Sequence, residues 1–318
     1  MTVRSVEGMG AGNLNPAPAN RAASSGGETV QTGVAANHPR ATLGAAIHRS
    51  HRRNTASLAI GVATVAVLLV VAATAAFWIP FPPDQLSAGP VLSAPSVQHP
   101  FGTDNLGRDL FSRVMAGARF AVVMAFAGVA IGAVIGVSMG IIAGFYGGWA
   151  DRIVSRIVDV WLAFPALLLA ILVVARFGSS LTSTVLALGI VSVPSYYRIV
   201  RSGAISGKYA LHVEAARSMG ASDVRILLRH ILPFTASAVI VLASMRAGML
   251  LLAGAGLSFI GLGVQPPAPE WGALLSSGRN YLETAPWMAV FPGLAITLTV
   301  IGLNLLGDGL RDLLDPHR

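Results

Sequence analysis

The chain has 318 residues, 54% of them hydrophobic and only 11% charged, with a mean hydropathy of +0.67. Soluble domains run at about 45–50% apolar and about 25% charged, so this much apolar surface calls for a lipid bilayer as solvent. The net charge of +8 is scattered between apolar runs rather than gathered on one polar face, which argues against nucleic acid, and the absence of cysteine excludes disulfides, thiolate metal sites and thiol nucleophiles.

Residues 1–50 are rich in Ala, Gly, Asn, Ser and Pro without apolar periodicity, and are expected to form a disordered cytoplasmic tail. The first apolar run begins near Ser57, behind a polar stretch too long for a signal peptide, so it is expected to stay as an anchor. Residues 51–115 then comprise this first span and an external segment, and residues 116–318 the rest of the membrane core. Six spans are expected, at Ser57–Ile79, Phe120–Phe145, Val158–Val174, Leu181–Val200, Ala236–Leu257 and Trp287–Leu306. Each is close to the ~20 residues that cross ~30 Å of hydrocarbon. An even number puts both termini on one side. Arginine and lysine are retained in the cytoplasm, and only Arg108, Arg113, Arg119, Arg176, Arg246 and Arg279 fall outside the segments that share a side with the N-terminus, so both termini are expected to be cytoplasmic.

The second span carries Gly128, Gly132, Gly136, Gly140 and Gly144 at spacings of four, a helix face on which another helix can approach closely. The approaching helix could belong to this chain or to a second membrane subunit. Between the fourth and fifth spans lies the longest cytoplasmic connection, with coupling helices expected within residues 206–233. Gly220 suits a left-handed helix end, Ser222 a cap and Asp223 the following dipole. Val224, Leu227, Leu228 and Ile231 form an apolar face, and Pro233 is expected to stop the second helix before the fifth span. Such a pair, too small for a core of its own, would seek a groove in a partner or lie on the lipid surface. In the last external loop Pro266, Pro267 and Pro269 preclude regular helix, and Trp271 and Trp287 suit the interfacial aromatic belt. Arg246, in the fifth span, should face the bundle or a wet cavity, either on a substrate path or beside a structural partner.

The cytoplasmic connection resembles that of permease subunits of binding-protein-dependent ABC importers, which read Glu-Ala-Ala, three residues, Gly, nine residues, then Ile-x-Leu-Pro. Glu214, Ala215, Ala216, Gly220, Leu232 and Pro233 match, while His230 stands at the isoleucine position. The segments His99–Arg113, Leu257–Gly272 and Asn304–Pro316 are similar to the dipeptide and oligopeptide group, specifically to the second permease of its pair. Gly254 departs from the glutamate that members commonly carry four residues before the Ser-Phe dipeptide. The resemblance implies an all-α, polytopic permease of the type I ABC importer fold in a bacterial plasma membrane. It implies as partners a homologous second permease, two ATPase subunits or domains, and an extracytoplasmic substrate-binding protein. It also implies that residues such as Glu214, Asp223 and Leu227 dock the ATPases. ATP and Mg2+ would be bound in those partner subunits, with no cofactor in this chain. Dipeptides, oligopeptides, glutathione, nickel complexes and haem are the substrates of such systems.

The rival readings are weaker. Ser202–Lys208 lacks the first glycine and the hydroxyl residue of a phosphate loop. No His-Glu-x-x-His motif is present, and the histidines lie outside the spans. An ion-coupled transporter or channel would need ionisable groups at mid-membrane, where only Arg246 qualifies.

Overall fold

A computed structural model of the chain describes the backbone of residues 40–314 and the side chains of residues 56–314; from Ala46 on these belong to one compact unit. The expected tail at residues 1–39 lies outside the described residues, and residues 40–50, expected within it, are already helical.

Helix α1 (Arg40–Phe77) supplies the first span, over Ala56–Phe77. Helix α2 (Leu110–Val122), a π-turn (Val123–Ala127) and α3 (Gly128–Tyr146) run on as one span of 37 residues, Leu110–Tyr146. That span starts ten residues before the expected Phe120, because Asp109 caps it, accepting from the Ser112 N–H at 2.8 Å. Among the described residues there is no strand, only an isolated bridge between Thr103 and Asp109.

The third span is not the continuous helix expected over Val158–Val174. Helix α4 (Gly148–Leu162) ends before Pro165, and α5 (Ala166–Phe177) leaves at an angle of 89°. Pro165 cannot donate to the ladder, and it pushes Phe164 away from helical geometry. The two pieces differ in character. Helix α4 exposes Trp149, Ile153, Ile157 and Val160 on one stripe and carries Asp151, Arg152 and Arg156 elsewhere, which is the pattern of a helix lying in the membrane interface. The twelve residues of α5 rise only about 18 Å, too short to cross the hydrocarbon alone.

Helix α6 (Leu181–Lys208) stands at the centre and continues two turns past the expected end at Val200. The five glycines of α3 lie on it. A Cβ on Gly136 would come within 2.6 Å of Tyr196 Cβ, on Gly140 within 2.9 Å of Val200 Cβ, and on Gly144 within 2.7 Å of Ala204 Cβ. On Gly132 it would overlap Ser192, and on Gly128 it would meet Leu250 of α9 and Leu188. The small-residue face is thus used within this chain, where van der Waals contact between backbones drives association in lipid.

After the short helices α7 (Leu211–Ser218) and α8 (Asp223–Ile226) comes a second π-turn, Leu227–Ile231, leading into α9 (Leu232–Phe259). Pro233 does not stop this helix, which runs unbroken through Asp223–Phe259. The widened π-turn just before the proline accommodates a ring and a missing N–H that an α-helix would not. Helix α10 (Trp271–Gly278) is external, and α11 (Trp287–Leu314) closes the chain, packed on α9 and on α1 through Gly302 against Thr64 and Gly309 against Leu58. Five continuous spans are thus present, and the bent pair of α4 and α5 makes a sixth passage only if its two pieces count as one span.

Candidate coupling and translocation site

Between α6 and α9, at one end of the bundle, α7 ends in a Schellman motif. The Gly220 N–H donates to the Arg217 carbonyl at 3.0 Å and the Ala221 N–H to the Ala216 carbonyl at 3.0 Å, while Gly220 takes φ +81°. Any other residue there would be strained, although no atom lies within 4 Å of a Cβ built on it. Ser222 occupies the cap position of α8 without a side-chain bond, and Asp223 sits in its first turn.

The side chains of the pair divide into two sets. Val213 and Ala216 point inward, with Ile226 and Ile231, onto Phe145 and Ala204. The expected apolar face of the second helix is therefore split: Ile231 is wholly buried and Leu227 partly, whereas Val224 and Leu228 are exposed beside Val134 and Ile142 of α3. This hydrophobic seam replaces the partner groove for half of the face and fixes the pair to α3 and α6. Leu211, Glu214, Ala215, Met219 and Gly220 are among the residues that remain outward. Glu214 lines a polar cavity of about 550 Å³ with Lys208, Tyr209, Arg217 and Asp223, and Arg217 lies 3.8 Å from Asp223. The His230 ring sits 5.6 Å from that of His212, and Leu232 and Pro233 are exposed at the start of α9. The pair is thus packed against α3 and α6 on one side and exposed at its tip.

Rigidity extends sideways. Arg201 of α6 holds Asp151 of α4 by two hydrogen bonds, at 2.5 and 2.7 Å, and Tyr197 meets Ser155 at 2.7 Å. These bonds tie the interfacial helix to the central one.

At the other end of the bundle, the motif His99–Arg113 turns inward rather than displaying itself. Asp104 accepts from Arg108 Nε at 2.6 Å and from the N–H groups of Leu106 and Arg108. His99 Nδ1 lies 2.8 Å from Asp109. Arg113, 2% exposed, donates to the carbonyls of Pro83 and Pro267, so one guanidinium joins the segment after α1 to the loop after α9. Trp271, expected at the interface, is buried; it donates to the Val114 carbonyl at 2.8 Å. Trp287 is half-buried and donates to Thr103. Glu270 caps α10 by accepting from the Ala273 N–H at 2.8 Å. Burial pushes its carboxyl above the ordinary carboxylate range, against the opposing pull of hydrogen bonds from Gly272, Ala273 and Ser258. Gly272 lets α10 lie against the backbone of Ala255. The sequence reading missed this buried network, whose partners are far apart in the chain.

Within the membrane, Arg246 of α9 is half-buried and donates to Ser195 Oγ of α6. Gly254 faces Met124 and Leu188, with a Cβ only 2.7 Å from the Met124 sulfur, so the glutamate common at this place has no room here. Among the described residues no group of three or more His, Asp or Glu side chains could hold a metal.

Residues 136–318 match the family described as binding-protein-dependent transport system inner membrane component. The chain is 50% identical over 275 residues to glutathione transport system permease proteins GsiD of Escherichia coli O6:K15:H31 (strain 536 / UPEC) and of Shigella boydii serotype 4 (strain Sb227), covering 84% of this chain and 87% of each relative. A chain of the MetNI methionine ABC transporter, in an inward facing crystal form, matches in fold with a TM-score of 0.52 at 19% identity, over 65% of this chain and 98% of the other. With the long apolar helices and the short helix pair between α6 and α9 already in place, these matches exclude the ion-coupled transporter reading: the chain belongs to the family of binding-protein-dependent inner membrane permeases and is a multi-pass permease subunit of the type I ABC importer fold.

Proposed function

We propose that this permease carries small peptides, with glutathione the first candidate, from an extracytoplasmic binding protein into the cytoplasm. The observation that carries the substrate reading is the 50% identity, over 275 residues, to permeases named for glutathione transport. Its place as the second of two homologous permeases and the cytoplasmic position of both termini rest on the motifs and on the distribution of basic residues.

The chain's own role is mechanical. ATP and Mg2+ are bound and turned over in two partner ATPases. Their closure presses on the tip around Leu211, Glu214 and Met219, and the seam of Val213, Ile226 and Ile231 passes the displacement to α3 and α6. Rigid-body movement of the bundle then exchanges outward for inward access. The test is reconstitution of the permease pair with its ATPases in liposomes, with radiolabelled glutathione, dipeptides and longer peptides supplied on the binding protein. ATP-dependent accumulation of glutathione in preference to the others supports the reading. Accumulation of only longer peptides, or of haem or nickel complexes, would reassign the substrate, and accumulation without ATP would overturn the coupling.

A further inference from the structure

Arg246 lies at the midpoint of the 28-residue α9, and Ser195, which accepts from it, at the midpoint of the 28-residue α6. A guanidinium at the centre of a lipid-facing helix costs roughly 2.5–3.5 kcal/mol, and one neutral hydroxyl does not offset its charge. Among the described residues no carboxylate lies within 4.0 Å of Arg246. Its electrostatic neighbours are Tyr196 and a second cation, Arg198. The Tyr196 hydroxyl is buried and has no hydrogen-bond partner. Two like charges and a spare O–H donor, brought to mid-membrane with no carboxylate of this chain beside them, are the donors a carboxylate would take.

The surroundings favour water over lipid. Ser195, Arg198 and Ser202 are accessible at i, i+3 and i+7 on the inner half of α6. Stripes that meet lipid look different: α1 exposes Ile60, Val67 and Val70, and α11 exposes Leu294, Leu298 and Ile301. A polar, cationic stripe leading from the membrane centre toward the cytoplasm is a path for a polar anion.

We propose that Arg246 and Arg198, with Ser195 and Tyr196 beside them, bind a carboxylate of the peptide in transit. This rests on the reading of the chain as a small-peptide permease. Every free peptide offers a terminal carboxylate and glutathione offers two, so a fork of guanidinium donors at a low-dielectric midpoint would distinguish acids from their amides.

The chain holds no cysteine, so S202C places one unique thiol on this stripe. In the assembled importer in nanodiscs, S-methylglutathione should slow maleimide labelling of S202C several-fold, and its diamide should not. R246Q and R198Q should each raise the half-protecting concentration about tenfold or more, the loss expected of one charge-assisted contact, and R246K should retain part of the protection. Equal protection by acid and diamide, or none by either, overturns the site. If R246Q loses the second permease on purification while R198Q keeps full protection, Arg246 is a subunit contact and the proposal falls. ATP-driven uptake by the same complex separates the two readings, since uptake without protection overturns only the carboxylate site and absence of peptide uptake overturns the transport reading.

Discussion

Trp271 and Gly117 are packed so closely that a Cβ on the glycine would lie 2.5 Å from the indole Nε1, which meanwhile donates to the Val114 carbonyl one turn away. The contact joins the external helix α10 to α2 across more than 150 positions of sequence, and there is no free volume to absorb an added methyl. G117A should lower stability by about 1–3 kcal/mol through overpacking. W271F, which removes the second donor to the Val114 carbonyl and leaves a void, should cost a similar amount. Thermal unfolding of the purified subunit complex, followed by tryptophan fluorescence in G117A and by light scattering in W271F, measures both.

The glycine face of α3 makes a graded series. At Gly136 both Tyr196 Cβ and the Val193 carbonyl would lie 2.6 Å from a new Cβ, so G136A must push α3 off α6 and should cost about 1–3 kcal/mol. Gly256, beside which nothing lies within 4 Å, is the matched control, and G256A should be neutral or slightly stabilising. Yields of folded, detergent-stable protein from the two variants give the comparison. Equal behaviour would contradict the assignment of the packing face.

Asp104 is 3% exposed and holds Arg108 while facing Arg113 at 3.7 Å. Truncation to alanine leaves two buried cations and two backbone N–H groups without their acceptor, and should destabilise the external cap by about 3–5 kcal/mol. D104N retains part of the acceptor capacity and should lose less. Limited proteolysis of the external segment, whose ties to the bundle run through Arg113, should accelerate in D104A before the spans themselves unfold.

Glu270 supplies a pH test with a definite sign. Its carboxyl is raised in the folded protein, so the native state binds the proton more tightly than the unfolded state does. Its contribution is most favourable at acid pH and weakens as pH rises from the ordinary carboxylate range through the raised value. E270Q keeps an acceptor for the Ala273 N–H without the charge. The stability of E270Q relative to the unsubstituted protein should therefore increase between about pH 4 and about pH 7. A flat or falling difference in unfolding temperature across that interval would contradict the assignment.

Much of the bundle is legible in the sequence because membranes impose coarse rules. Long apolar runs mark the spans, and glycines four apart mark the closest helix contact. Gly220 marks its turn because only a residue without Cβ is at ease at φ +81°. The failures are as physical. Hydropathy sums over a window and cannot see direction, so Val158–Val174 reads as one span although Pro165 bends it; the alternation of Arg152 and Arg156 with Ile153 and Ile157 is the local signal of an interfacial helix. Pro233 reads as a stop because a π-turn has no sequence signature strong enough to overrule a proline. Trp271 reads as a belt residue because its partners, Val114 and Gly117, lie on another helix. The charge network of the external cap, with Arg113 bonded to Pro83 and Pro267, is invisible for the same reason. Of the path, the sequence exposes Arg246 by its cost, whereas Ser195, Arg198 and Tyr196 join it only through the packing of α6 on α9.

In the proposed mechanism this chain converts the closure of partner ATPases into movement of its bundle through the projection at Gly220. G220V is the sharpest probe, since nothing surrounds the new side chain and the change acts only on the left-handed backbone. ATPase activity of the reconstituted importer, measured with and without loaded binding protein, should show strong stimulation in the unsubstituted complex. In G220V stimulation and uptake should be lost, while membrane insertion and the unfolding temperature of the spans are retained. Full stimulation and uptake in G220V would contradict the account.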